Sequence, residues 1–293
     1  MIQRRLFTAA TSLALASPFA LFPTRGHTAS SLQAQLQQLE ATAQGRLGVH
    51  IIDTATGLSH GHRADERFMM LSSFKLLASA FVLARVDRGQ ESLEWRITFA
   101  KTDLVTWSPV TERFAGTAEG MSLAGLCEAT LTTSDNSAAN FILDSYGGPA
   151  ALTRFARDLG DDTTRLDRRE TELNTGTAAA LLDTTTPRAM ALTLQKLQLG
   201  NALSPASRQQ LERWLVANTT GDKRLRAGLP GGWRVGEKTG TNATDANDIG
   251  IVWPANGRAP LIITAYLAES TASSAVKEAT LAGVARLAAG LVA

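Results

Sequence analysis

Strand-forming segments lie at the two ends of this chain and helix-forming ones fill the middle, which limits the possible folds more than any other feature. Arg46 to Asp53 alternates as a strand, and Thr54-Ala55-Thr56-Gly57 turns the chain back into a second. Strand signals return only at Trp233–Lys238, Ile249–Trp253 and Leu261–Leu267, with turns expected at Gly240 and Asn256-Gly257. Between these ends the spacing predicts helices over Ser72–Arg88, Ser122–Thr130, Ser134–Tyr146, Pro149–Leu159, Pro187–Leu199 and Pro205–Asn218. Two further helices bracket the strands: Ser30–Gln44, with Leu32, Leu36 and Leu39 at helical spacing, and Ser274–Leu291, apolar over a wide face. Strands so far apart complete a sheet only if the chain ends meet. The expected fold is α/β (α+β): an antiparallel sheet from both chain ends flanked by helices, with an inserted all-helical lobe. The matching division is 30–70 with 219–293 as an α/β domain and 71–218 as a helical domain, Ser72 falling at the seam.

Residues 1–29 read as a leader. Met1-Ile2-Gln3-Arg4-Arg5-Leu6-Phe7 precedes a small and apolar run to Pro23, the pattern of an export signal rather than a membrane span. The paired arginines suggest the twin-arginine route, with Ala16 and Ala20 as cleavage points. A periplasmic protein without a stable membrane anchor is expected, and nothing in the sequence points beyond a monomer. The formal net charge is +2, and Arg4, Arg5 and Arg25 belong to the leader, so no basic surface for nucleic acid is indicated. Cys127 is the only cysteine. An intrachain disulfide is thereby excluded, and stability has to come from a core that this length permits.

The chemistry is concentrated at Met70-Leu71-Ser72-Ser73-Phe74-Lys75, followed by the apolar run Leu76-Leu77-Ala78. On a helix, residues i and i+3 share a face, so the Ser72 hydroxyl and the Lys75 amine can meet. A helix N-terminus beside them adds N–H groups and partial positive charge, which is how a weak nucleophile is activated. The plain alternative is that Ser72 only caps a core helix. The spacing alone does not decide, because Ser274-Ala275-Val276-Lys277 repeats it. His60-Gly61-His62 with Asp65 looks like a zinc site, but with only His27 and His50 besides, no further histidine downstream completes a ligand set. Neither a metal nor another cofactor is expected.

Three more motifs follow in order: Ser134-Asp135-Asn136 opening a helix, Arg168-Arg169-Glu170-Thr171-Glu172-Leu173-Asn174 in a helix-poor stretch, and Lys238-Thr239-Gly240-Thr241 on a late strand. Together with Ser72 and Lys75 they make the chain resemble the class A serine β-lactamases, whose motifs include S-x-x-K, S-D-N and K-T-G. The resemblance covers most of the chain beyond the leader, including Thr106-Trp107-Ser108-Pro109-Val110-Thr111 and Asp183-Thr184-Thr185-Thr186-Pro187. It implies a β-lactamase/transpeptidase-like fold and hydrolysis of a small-molecule substrate, penicillins and some cephalosporins, through a serine acyl-enzyme. In that scheme Ser72 attacks the lactam carbonyl, and the backbone N–H groups of Ser72 and Thr241 form the oxyanion hole. Lys75 and Glu170 are the candidate bases for acylation. Glu170 and Asn174 hold the water that hydrolyses the ester. Ser134 relays a proton to the lactam nitrogen, and Asn136 binds the substrate's side-chain amide. Lys238, Thr239, Gly240 and Thr241 line the substrate-carboxylate end, Trp107 walls the cleft, and Arg168 with Asp183 closes the loop carrying Glu170.

Several positions depart from the family pattern. Its usual guanidinium slot is Ile249 here, and Arg224 in Asn218-Thr219-Thr220-Gly221-Asp222-Lys223-Arg224 resembles an alternative donor toward the substrate carboxylate. Thr171 stands where a proline is common and the preceding peptide is usually cis. Trp107 replaces a tyrosine, Arg169 an aromatic, and Asn242 a small residue. Two other readings share the serine–lysine chemistry: a penicillin-binding sensor that stays acylated, and a DD-peptidase acting on peptidoglycan peptides. Glu170 and Asn174 separate them from a hydrolase, because a trapping protein needs no deacylating water.

Overall fold

The computed structural model describes residues 25–255 and 257–292. The export-signal reading falls outside them up to residue 24. Helix α1 (Arg25–Ala43) starts earlier than the Ser30 or Ser31 boundary, since a serine tolerated inside a helix need not mark its start. Strands β1 (Arg46–Asp53) and β2 (Ser59–His62) follow, then the short β3 (Phe68–Met69) and helix α2 (Phe74–Asp87). After β4 (Arg96–Ile97) and β5 (Met121–Ser122) come α3 (Leu123–Thr132), α4 (Asn136–Ser145) and α5 (Pro149–Asp158). The short β6 (Thr184–Thr185) leads into α6 (Pro187–Leu199), α7 (Pro205–Val216) and α8 (Leu225–Gly228). The chain closes with β7 (Arg234–Thr241), β8 (Ala246–Trp253), β9 (Leu261–Ala268) and α9 (Ser274–Gly290).

The sheet has five strands in the order β2-β1-β9-β8-β7, every neighbouring pair antiparallel. The two chain ends therefore do build one sheet, with β1 paired along its whole length to β9. Each sheet face has its own core. The outer face packs Leu47, Val49, Val235, Val252 and Ile263 against α1, α8 and α9. The inner face packs Ile249, Ile251, Ile262 and Tyr266 against the helical lobe. This follows from strand geometry, since successive side chains point to opposite faces. Within the lobe, α2 is buried from Phe74 to Ala84, as its nearly continuous apolar sequence requires. Each large apolar side chain so buried contributes ~1.5–3 kcal/mol.

Local chemistry sets several boundaries. Thr186, Ser204 and Ser273 cap α6, α7 and α9 by accepting a backbone N–H, and Pro187 and Pro205 occupy first-turn positions where no donor is needed. Two more starts differ from expectation: α2 begins at Phe74, after a 3-10 turn that holds Ser72, and α4 begins at Asn136, not Ser134, because Asp135 is the cap that accepts from Ala138 N. A further correction concerns Gly240, which lies inside β7 paired with Asn247 rather than in a turn. The glycine is needed for close approach, as a Cβ there would stand 2.9 Å from the Met70 carbonyl oxygen.

The histidine motif is structural. His62, on edge strand β2, is buried with its ring 2.7 Å from Glu40 and 2.9 Å from Gln33, which ties α1 to the sheet edge. The second serine–lysine pair lies on α9, where Lys277 Nζ donates to the Ala243 carbonyl at 2.7 Å. Cys127 is buried in α3, and burial pushes its thiol far above the ordinary range.

Candidate active site

The inner end of β7, the start of α2, the α3–α4 junction and the loop from Asp167 to Asp183 meet around a cavity of about 450 Å³. Ser72, Trp107, Ser134, Asn136, Asn174, Thr220, Thr239, Gly240 and Thr241 line it. Ser72 occupies a single 3-10 turn, Leu71–Ser73, ahead of α2. Asn247 on β8 braces that turn by donating to the carbonyls of Met69 and Met70 at 2.9 and 3.1 Å. Leu71, Trp107 and Ser134 all adopt positive φ, at 48°, 64° and 62°. Such conformations cost non-glycine residues ~1–3 kcal/mol each and persist where surrounding structure enforces them, often at functional sites.

Lys75 is the hub. Its Nζ lies 3.0 Å from Ser72 Oγ, 2.9 Å from the Ser134 carbonyl, 2.5 Å from Asn136 Oδ1 and 2.9 Å from Glu170 Oε1. Burial holds its amine below the ordinary lysine range, and the adjacent Glu170 carboxylate opposes that shift. Ser72 Oγ donates to Glu170 Oε1 at 3.2 Å, and Asn174 Nδ2 donates to Glu170 Oε2 at 2.6 Å. Glu170 is only 4% exposed, which removes the plain reading of a solvated loop acid. Lys238 Nζ donates to Ser134 Oγ at 3.1 Å and to the Thr239 carbonyl at 2.9 Å. Its amine is driven well down, first by burial and then by the nearby Lys75 charge. One hydroxyl, Ser134 Oγ, thus sits between two lysines.

The loop carrying Glu170 is pinned at its neck. Arg168 Nε donates to Asp183 Oδ2 at 2.6 Å, and Asp183 Oδ1 accepts the backbone N–H groups of Asp167 and Arg168 at 2.8 and 2.9 Å. Arg168 also reaches the Thr175 carbonyl at 2.9 Å, and Arg169 pairs with Asp144. The Glu170–Thr171 peptide is cis although Thr171 is not a proline. Asn242 donates to the Asn174 carbonyl at 3.4 Å, linking the loop to the end of β7.

Arg224 does not line the cavity. It is 6% exposed, with NH1 on the carbonyls of Gly240 and Asn247 at 3.0 and 2.8 Å and NH2 on Thr241 Oγ1 at 2.7 Å. It meets the cavity only through that hydroxyl, since Thr241 is a lining residue. Trp107 stands exposed at the rim, its indole N–H donating to the Thr133 carbonyl at 3.0 Å.

Three residues have roles that the sequence does not announce, although Asp135 and Thr220 lie within its motifs. Asn140 clamps Glu170 by both backbone groups, accepting its N–H at 3.1 Å and donating to its carbonyl at 2.9 Å. Its signal was available, since Asn140 follows Asn136 by one helical turn and shares its face. Thr220 Oγ1 lies 2.5 Å from Thr239 Oγ1. Asp135 accepts from Val110 N, Thr111 N and Thr111 Oγ1 as well as capping α4, fastening the Trp107 loop to the Ser134 turn.

Among the described residues no helix is long and apolar enough to cross a membrane. A family model, the Beta-lactamase enzyme family, matches residues 31–291. Beta-lactamase L2 of Stenotrophomonas maltophilia is 44% identical, with 100% of both chains aligned. The carbapenem-hydrolyzing beta-lactamase KPC of Klebsiella oxytoca is 43% identical over 91% of this chain and 92% of its own. Among solved structures, an ancestral (GNCA) class A beta-lactamase superposes with a TM-score of 0.86 at 57% identity, covering 89% of this chain and 99% of that one. The class A beta-lactamase of the last common ancestor of Gram-negative bacteria (GNCA4) gives 0.87 at 56% identity, covering 90% of this chain and 100% of that one.

Proposed function

This chain belongs to the class A serine β-lactamases, and from that premise we propose that it opens the lactam amide of penicillins and some cephalosporins and so confers resistance. Ser72 Oγ attacks the lactam carbonyl carbon. The C–N bond breaks, the Ser72 proton passes to the Lys75–Glu170 pair, and Ser134 delivers a proton to the departing nitrogen and regains one from Lys75. Water then attacks the resulting ester, Glu170 takes one of its protons, the acyl–Ser72 bond breaks, and a proton returned from the Lys75–Glu170 pair restores the Ser72 hydroxyl. The backbone N–H groups of Ser72 and Thr241 serve the oxyanion, where one donor is typically worth ~10²–10³ in rate. Lys238, Thr239 and Thr241 receive the substrate carboxylate, with Arg224 strengthening that end through Thr241. Asn136 holds the side-chain amide, and Trp107 supplies the aromatic wall.

The observation that carries this reading is the placement of Glu170. Its Oε1 accepts from Ser72 Oγ at 3.2 Å while Asn174 donates to its Oε2 at 2.6 Å, so a water held by Glu170 would face an ester formed on Ser72. A penicillin-trapping sensor has no use for that arrangement. We further take the enzyme to be an exported periplasmic monomer, a reading supported by Arg4, Arg5 and the apolar run after them. The α/β portion (30–70 and 219–293) and the helical portion (71–218) are its proposed domains. The test is purified protein mixed with a chromogenic cephalosporin. Steady release of many equivalents per protein supports hydrolysis. A single stoichiometric burst identifies a sensor, and no reaction at all refutes both.

A further inference from the structure

The outer face of β7 holds a second group of ionisable side chains to which the reaction above assigns nothing. Glu237 precedes Lys238 on β7, and Asp248 lies on β8 opposite Thr239. Both are 0% exposed. Alternation puts them on the face of Val235 and Val252, away from Lys238. Gly221 makes room for the pair, since a Cβ there would stand 2.3 Å from Glu237 Oε1.

The hydrogen bonds leave one gap. Arg226 takes Glu237 Oε1 through Nε at 3.0 Å and NH2 at 2.9 Å. Leu225 N donates to Asp248 Oδ2 at 3.0 Å. Glu237 Oε2 and Asp248 Oδ1 are buried and have no hydrogen-bond partner. Glu237 pairs with Gly250, two residues beyond Asp248, so the two carboxyls are diagonal neighbours on one face and each acts on the other's charge. Two ionised carboxylates in that position would repel, whereas one proton between them makes a strong O–H···O⁻ bond. The neighbouring charges fit one negative charge rather than two. Arg224, in the loop before α8, has a buried Nε without a partner, and the acid acting most strongly on it is Asp248. Arg226 on α8 is shared with Asp222, which is 69% exposed, and Glu278 on α9 also acts on Arg224. Lys238 approaches from the other side of the strand.

We propose that Glu237 and Asp248 share a single proton, and that the resulting singly charged pair positions Arg224 against Thr241 for the substrate's carboxylate. Burial raises both carboxyls above their ordinary range. Asp248 rises further, reinforced by Glu237, while Arg226 opposes the rise of Glu237, so the proton resides on Asp248. Both residues are positioning groups that touch no substrate. The positioning role rests on the β-lactamase reading, but the shared proton does not.

The experiment joins infrared difference spectroscopy of the whole protein at pH 7 with steady-state kinetics on a penicillin. Wild type minus Asp248→Asn is expected to show the carbonyl band of a protonated carboxylic acid, moved by deuteration and lost in the variant. Asp248→Asn, whose amide can still donate to Glu237, should keep KM within about threefold, while Glu237→Gln/Asp248→Asn should raise KM about tenfold with kcat changed less than about threefold. If the double variant does not fold, Glu237→Gln alone serves, since the charge then sits on Asp248 beside Arg224 and KM should hold. A spectrum without the band overturns the shared proton whether or not the protein hydrolyses β-lactams. An unchanged KM in the double variant, or a tenfold rise in Glu237→Gln, overturns the positioning role. Failure of the β-lactamase reading shows separately, as a wild type that never turns over.

Discussion

Strand β7 separates two buried clusters of acids and bases that differ in how they keep their charges. On the inner side, Lys75 and Glu170 form an ion pair 2.9 Å apart, with Ser72, Ser134, Asn136 and Asn174 satisfying the remaining donors and acceptors. That cluster opens on a cavity, so its groups can meet water and substrate. On the outer side Glu237 and Asp248 are sealed from solvent, and one oxygen of each has no hydrogen-bond partner. A sealed acid pair lowers its charge by keeping a proton, while a pair beside a cation and a cavity remains available for proton transfer. On the proposed reading, the same residue types do chemistry on one face and hold geometry on the other. Changes at Ser72, Lys75 or Glu170 on the inner face should appear in kcat, and changes on the outer face in KM.

The largest expected effect comes from removing the inner acid. Glu170→Ala should lower steady-state kcat by ~10²–10⁴, the usual contribution of a general base. Ser72 should still acylate, giving a burst and a long-lived adduct visible by mass spectrometry. If acylation and deacylation fell together, Glu170 would not be specific to water attack, and the kcat assignment of the inner face would break. Next comes the support beneath it. Asp183→Ala strands the Arg168 guanidinium and two backbone N–H groups around a fully buried site, and should cost ~3 kcal/mol of unfolding free energy. Urea titration gives the stability, and single-turnover kinetics should show deacylation slowed more than acylation. Equal slowing would mean the loop serves the whole cleft rather than Glu170.

Arg224→Ala sharpens the contrast from the outer side. The guanidinium touches Thr241 but does not line the cavity, so its loss should raise KM for penicillins about tenfold with a smaller change in kcat. A drop confined to kcat would move Arg224 to the inner cluster. This residue also marks where the sequence stopped being readable. Ser72 with Lys75, Ser134 with Asn136, and Lys238 to Thr241 were legible because each packs its functional groups within one helical turn or strand segment. The sheet was legible for a similar reason, since Arg46–Asp53 and Leu261–Leu267 carry unbroken strand patterns. Arg224 was nominated, yet its partners Gly240 and Asn247 share no local spacing with it. Glu237 and Asp248 gave no signal, because a sheet register brings them together and an acid next to Lys238 looks like an ordinary surface charge. The Ser134 boundary was misplaced because Ser134 and Asp135 are both good caps, and only the side-chain bond to Ala138 chooses between them.

The smallest effect, and the one that tests both faces together, is a shift in pH dependence. Burial and the Lys75 charge hold the Lys238 amine well below its usual value, so its cation is lost at a pH lower than the ordinary lysine figure of about 10.4. The protonated form is the one that attracts a carboxylate. As pH rises through that lowered value, kcat/KM for a penicillin should therefore fall, giving an alkaline limb that reports the free enzyme. Lys75 contributes with the opposite sign, because losing its proton makes it a better base for acylation. Lys238→Arg keeps the cation at every accessible pH and should move the limb upward, at the cost of a few-fold in kcat/KM near neutrality. If the limb stays in place in Lys238→Arg but moves in Asp248→Asn, the titrating group is the acid pair on the outer face. Arg224 positioning, rather than the inner lysine, would then set the upper pH limit of substrate binding.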